Sequence, residues 1–199
     1  PATLPAANGS ALTNLNATNL GSGTVPDARF PATLPAISGA NLTNLPASGI
    51  TMADQWRITS DRAGSNQLTA NWERADTLSA GFIGTGLSES SGVFTFPATG
   101  IYQIFATAYM ASSGSIAYGG IAIQITTNNS SYATAAESYN NCVGGGQNLS
   151  TFATYVLDVT NTTNTKFRLN GAADGGNVTY GGSTASNLTN VVVIRLGDT

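Results

Sequence analysis

Beyond residue 50 the chain alternates apolar and polar positions with a period of two, and no run repeats apolar residues at the 3.6-residue spacing of an amphipathic helix. The alternation predicts strands over 55–59, 92–96, 101–110, 121–126, 152–159, 166–169 and 190–196, with weaker ones over 67–72, 81–84 and 178–180. Turns rich in Gly, Ser and Asn separate them, among them Ser112-Ser-Gly114, Gly144-Gly-Gly146 and Gly171–Gly176. Ten short strands at this spacing make an all-β sandwich or barrel. The strand over 101–110 also bears on assembly. Its even face, Tyr102, Ile104, Ala106, Ala108 and Met110, is wholly apolar. Its odd face, with Ile101, Phe105 and Tyr109, is far more apolar than a solvated face should be. Both faces are therefore expected to be covered, the second either by a neighbouring subunit or by a loop of the same chain.

Residues 1–50 follow another rule. Pro1-Ala-Thr-Leu-Pro-Ala6 recurs as Pro31–Ala36 and Leu12-Thr-Asn-Leu15 as Leu42–Leu45, so one unit is duplicated at a fixed offset. Its prolines forbid a long helix, and a repeat this short cannot bury its own leucines. The expectation is an extended repetitive N-terminal stalk, 1–50, ordered by association with copies of itself. A flexible linker is the alternative that its Ala/Gly/Ser/Asn content allows. Residues 51–199 form the head.

Charge narrows the function. Only 9% of the residues are charged, and the formal net charge is −3. No basic run exists to capture nucleic acid, and no apolar stretch approaches the roughly 18 residues of a membrane span. The first residue is Pro1 with no leader pattern after it, so the chain reads as a fragment or processed product. There is no His, and Cys142 stands alone. An internal disulfide, His-assisted nucleophilic catalysis and the usual zinc sites are thereby excluded. No cofactor is expected, and a structural role leads.

The stretch 86–105 carries a recognisable pattern. Gly92, Phe94 and Pro97, then Gly100 and Tyr102, with Phe105 one place after the usual aromatic, resemble the central signature of the complement component 1q globular head. That family shares its jelly roll with the tumour necrosis factor superfamily. Val156–Thr160, Lys166–Leu169 and Asn187–Leu196 resemble its later strands, although the finish Arg195-Leu-Gly-Asp198 is less apolar than the family's. The resemblance covers roughly 55–199. It implies a ten-stranded jelly-roll sandwich and a homotrimer on a fibrous stem. Gly23–Ala32, with the Asn-Leu-Thr-Asn-Leu repeats, resembles segments of bacteriophage tail fibres, whose repetitive shafts precede a trimeric tip.

Candidate chemistry is sparse. Glu73 with Asp76 or Glu89 is the one carboxylate set that a glycosidase could use, but ion pairing with Arg74 above a packed Trp72 is the simpler reading. The oxygen-rich loops 130–141 and 171–184 offer Glu137 and Asp174 as isolated acids, too sparse to predict calcium, so no metal site is assigned. Cys142 reads as a free thiol in or near a loop. Tyr118, Tyr132, Tyr139 and Tyr180 lie beside Gly or Ser in expected loops. Exposed aromatics among amides and hydroxyls can stack on sugars, and these four are the candidate ligand-binding residues. Ile101, Phe105 and Tyr109 are the candidate trimer interface.

These expectations join into a structural, non-enzymatic fibre protein from a phage tail or other virion appendage. Its trimeric head would bind a host surface glycan or protein, outside cells, with no nucleic acid and no membrane insertion. A subunit of a bacterial extracellular filament is the alternative, and a polysaccharide-degrading enzyme a lesser one.

Overall fold

The computed structural model describes residues 49–174 and 176–199. The repeats of the first 48 residues, expected to form a stalk, lie outside the described residues. Thirteen strands and no helix make up the described part: β1 (Ala53–Ile58), β2 (Arg62–Ala63), β3 (Asn66–Gln67), β4 (Trp72–Arg74), β5 (Ser88–Ser90), β6 (Val93–Thr95), β7 (Gly100–Ser112), β8 (Ile116–Thr126), β9 (Ala133–Cys142), β10 (Gln147–Val159), β11 (Lys166–Ala173), β12 (Val178–Tyr180) and β13 (Asn190–Gly197). They form two antiparallel sheets. In the seven-stranded sheet β10 lines one edge of β7, while β13 and then β12 line the other, followed by β1 and β4 on one arm and β2 on the other. The six-stranded sheet runs β5-β6-β11-β8-β9, with β3 also on β11.

The sequence expected ten strands, and the difference is physical. β2, β3 and β5 have two or three residues each, too short to show a period. Residues 81–84 contribute only one bridge, Ala53 to Ile83, because exposed Phe82 and Ile83 have no second strand to pair with. The loop expected over 130–141 is mostly β9. Its Ala-Thr-Ala-Ala-Glu-Ser run has little to bury, and pairing with β8 holds it as an edge strand. Cys142 therefore ends a strand and pairs in register with Ile116.

Between the sheets lies one core. On β7 the even positions from Tyr102 to Met110 are fully buried and the odd ones are not. Phe94 stacks on Phe167 at 4.8 Å and 11°, and Trp72 meets Phe94 edge-on at 5.1 Å. Such pairs add about 0.5–1.5 kcal/mol each beyond their burial. Tyr102 lies in this core and its hydroxyl donates to the Ala98 carbonyl at 2.9 Å.

Candidate functional site

The outer face of the six-stranded sheet gathers most of the candidate tyrosines. Cross-strand partners share a face, so the pairing of Gly120 with both Tyr139 and Ala172, and of Ala122 with both Glu137 and Asn170, defines one surface. Tyr118 and Tyr139 stand on it 43% and 45% exposed, edge to face at 5.4 Å. Gly120 makes this possible, since a Cβ there would collide with the Tyr139 ring and the Ser138 carbonyl. The Tyr139 hydroxyl donates to Glu137 Oε2 at 2.7 Å. That carboxylate keeps the proton on the phenol and pushes its pKa up to about 12, with burial and the Glu137 charge adding to the effect.

Beside the pair is a polar recess of about 220 Å³ lined by Ser65, Asn66, Tyr118, Asn170, Gly171, Ala172 and Ala173. The short β3 places Asn66 opposite Gly171. Asp174 fastens the rim: its amide donates to the Tyr118 carbonyl at 3.2 Å, and its Oδ2 accepts from the Ala117 amide at 2.6 Å. Tyr132, half-buried, lies farther along the β11 side with the Arg168 guanidinium 4.0 Å over its ring. Burial raises its pKa and Arg168 opposes the rise.

Tyr180 is elsewhere. The sequence offers it both as the end of a weak strand over 178–180 and as a loop candidate beside the other three; it closes β12 and is fully buried. Its hydroxyl crosses the core to donate to the Gly120 and Ala172 carbonyls at 2.7 and 3.3 Å. The ring cannot reach a ligand. It supports the floor of the tyrosine face from beneath, and burial, against both hydrogen bonds, pushes its pKa up to about 12.

The outer face of the seven-stranded sheet is of another kind. Phe105 pairs with Thr154 and Val192, Thr107 with Phe152, and Gln103 with Val156 and Ile194. Phe105, Phe152 and Val156 are 43%, 69% and 53% exposed, and Ile101, Val192 and Ile194 are half-buried around them. Phe152 and Val156 were missed as face residues, although their spacing at alternate positions through Thr154 carries the signal. The chain itself covers the other end of the face. The Tyr109 ring packs so closely on Gly181 that a Cβ there would collide with it, and Leu188 lies beside it.

The candidate carboxylates are tied to the fold. Glu73 and Asp76 both accept from Nη2 of Arg57, at 2.5 and 2.7 Å. Glu89 accepts from the Gly92 amide at 2.6 Å within the β5–β6 turn. Arg74 pairs with buried Asp54, not with Glu73. Two larger recesses are likewise lined by engaged charges. One of about 410 Å³ contains Arg74 and Asp76, and one of about 350 Å³ contains Arg195, which donates to the Thr99 carbonyl and Asp198. Among the described residues no three metal-ligating side chains converge, and no helix is long and apolar enough to cross a membrane.

Eiger TNF from S. frugiperda superposes with a TM-score of 0.58 over 76% of this chain and 96% of that one, at 12% identity. Murine APRIL gives 0.55 over 73% and 98%, at 11% identity. The fold is a TNF-like jelly roll. No protein-family model matches the sequence, and no curated protein is significantly similar to it. At such identities the likeness is one of fold, and the residues of the TNF-like head described above carry any function on their own chemistry.

Proposed function

We propose that the protein is a non-enzymatic structural fibre component, from a phage tail fibre or other virion appendage, whose homotrimeric jelly-roll head attaches to a host surface component. The observation that carries this reading is the bare apolar end of the outer β7–β10–β13 face. Phe105, Phe152 and Val156 leave a contiguous apolar patch exposed in the single chain, and such patches mark contact surfaces. A second copy of the head covers it, and threefold closure leaves no patch free to recruit further chains. The candidate interface residues Ile101 and Phe105 belong to this patch, with Tyr109 at its self-covered margin. By the same logic, the proposal has the repeats of 1–50 associate with those of the other copies.

Light scattering on 1–199 tests the assembly. A mass of three chains is expected, and a mass of one chain removes the reading. A bacterial extracellular filament subunit keeps the fold but predicts polymers that grow with concentration. The sequence likeness of 23–32 to tail-fibre segments favours the first owner over the second.

A further inference from the structure

We infer that the recess beside Tyr118 and Tyr139 is a subsite for a neutral saccharide ring, which deepens the attachment role proposed above and rests on it for its biological meaning. A pyranose offers one face of C–H bonds and an edge of hydroxyls, and the recess supplies the complement of each. Tyr118, 43% exposed and braced at 5.4 Å by Tyr139, is an aromatic wall held in place before any ligand arrives. Ser65, Asn66 and Asn170 bring polar groups to the same recess. The Asn170 amide nitrogen donates to the Gly171 carbonyl at 3.2 Å, which holds this side chain in place. Gly171, Ala172 and Ala173 keep the floor low. At about 220 Å³ the space is below the roughly 300 Å³ at which drug-sized pockets begin, so it fits one ring and not a folded peptide epitope.

Charge selects against acidic sugars. No cation lines the recess. Glu137 and Asp174 accept from the Tyr139 hydroxyl and the Ala117 amide. Arg168 is committed to Gln124 and Gln67 at 2.8 and 3.0 Å, with its flat face on Tyr132. The lining itself thus offers an acidic sugar no ion-pair partner and suits a neutral one. The floor is also rigid, because Tyr180 ties the Gly120 and Ala172 carbonyls to the opposite sheet, so little ordering is needed on binding.

The test is saturation-transfer NMR on intact 1–199. The probes are the methyl glycosides of mannose, galactose, glucose and N-acetylglucosamine, with N-acetylneuraminic acid as the anionic arm. Transfer to at least one neutral glycoside is expected, concentrated on the protons of one ring face. Tyr118→Ala and Asn170→Ala should each weaken it by about tenfold, Tyr118→Phe should keep it, and Tyr132→Ala should leave it unchanged. No transfer to any neutral glycoside overturns the inference, as does transfer that survives Tyr118→Ala or a response to the anionic sugar alone. Attachment to host cells that survives enzymatic deglycosylation yet is lost in Tyr118→Ala overturns it in favour of a protein partner. Light scattering on the same samples separates the two proposals. A monomer that binds glycoside keeps the subsite and removes the trimer, and a trimer that binds none does the reverse.

Discussion

At the scale of single residues, the polar groups that look most like chemistry hold the sandwich together. Arg57 is fully buried on the outer side of β1, and each of its terminal nitrogens has a partner: Glu73 and Asp76 for Nη2, and Thr77 and Asn187 for Nη1. The two acids are not equivalent. The Glu73 oxygen also accepts from Nε at 3.0 Å and its side chain is 34% exposed, whereas Asp76 makes one contact and is 74% exposed. Removing charge from the less hydrated partner leaves the guanidinium poorly compensated. Glu73→Gln should therefore cost about 2 kcal/mol and Asp76→Asn under about 1 kcal/mol, read as shifts in urea midpoint with unchanged slope. Tyr180 sets a pH limit. Its pKa is raised by burial above the unfolded value, so the native state holds the proton more tightly than the unfolded chain. The stabilisation is complete below pH 10 and is lost as pH rises towards about 12. A displacement of this size is worth about 3 kcal/mol. In alkaline titrations followed by circular dichroism, Tyr180→Phe should be less stable at neutral pH, for want of two hydrogen bonds, yet lose less stability across that alkaline window than the parent.

At the scale of elements, the turn between β5 and β6 shows why the signature glycine stands where it does. Ser90 pairs with Val93, and the two linking residues, Ser91 and Gly92, have φ of 53° and 77°. A two-residue hairpin with both positions left-handed matches the twist of its strands. At Gly92 there is a second demand, since a Cβ would come within 2.8 Å of the Thr69 Cα and closer still to the Leu68 carbonyl. Gly92→Ala should cost about 2 kcal/mol, while Ser91→Asn, better suited to positive φ, should be neutral or gain about 0.5 kcal/mol in thermal unfolding. The same reasoning separates the elements that were legible in sequence from those that were not. β7 announced itself because thirteen residues alternate and one face is wholly buried, and Val178–Tyr180 was read with its own ends. β9 shows no apolar period because, Tyr139 apart, this edge strand is built from small and polar residues. Of the tyrosine face, the residue type was legible but the placement was not. Tyr118 and Tyr139 meet only through the register of β8 on β9, and Asn66 reaches the recess through a two-residue strand. Tyr180 has the same flanking chemistry in sequence, yet a single strand phase turns it into the core.

At the scale of the whole molecule, the proposal divides the work between the two faces of the sandwich. The seven-stranded sheet presents an apolar end, with Asp158 at its rim opposite Ile101 and the Arg57–Glu73–Asp76 cluster on the far side of β13. The six-stranded sheet presents tyrosines and amides over a polar recess. Assembly and attachment are thus proposed on opposite layers, with the core between them, and substitutions can address one without the other. Phe105→Asp combined with Phe152→Asp places two carboxylates in the patch where a partner copy would have to desolvate them. Neither ring is in the buried core, so the fold should survive. The expected product is a folded monomer with the methyl-glycoside response of the parent, per site, undiminished. Its attachment to an immobilised host envelope should nonetheless fall by about a hundredfold or more, because three linked weak sites act at a high effective concentration and one does not. Surface plasmon resonance against the envelope, run beside the solution NMR measurement, reads both quantities from one preparation. If the monomer attached as well as the trimer, multivalency would not be the reason for trimerisation. If it lost the glycoside response too, the two faces would be coupled through the core and the division of work would fall.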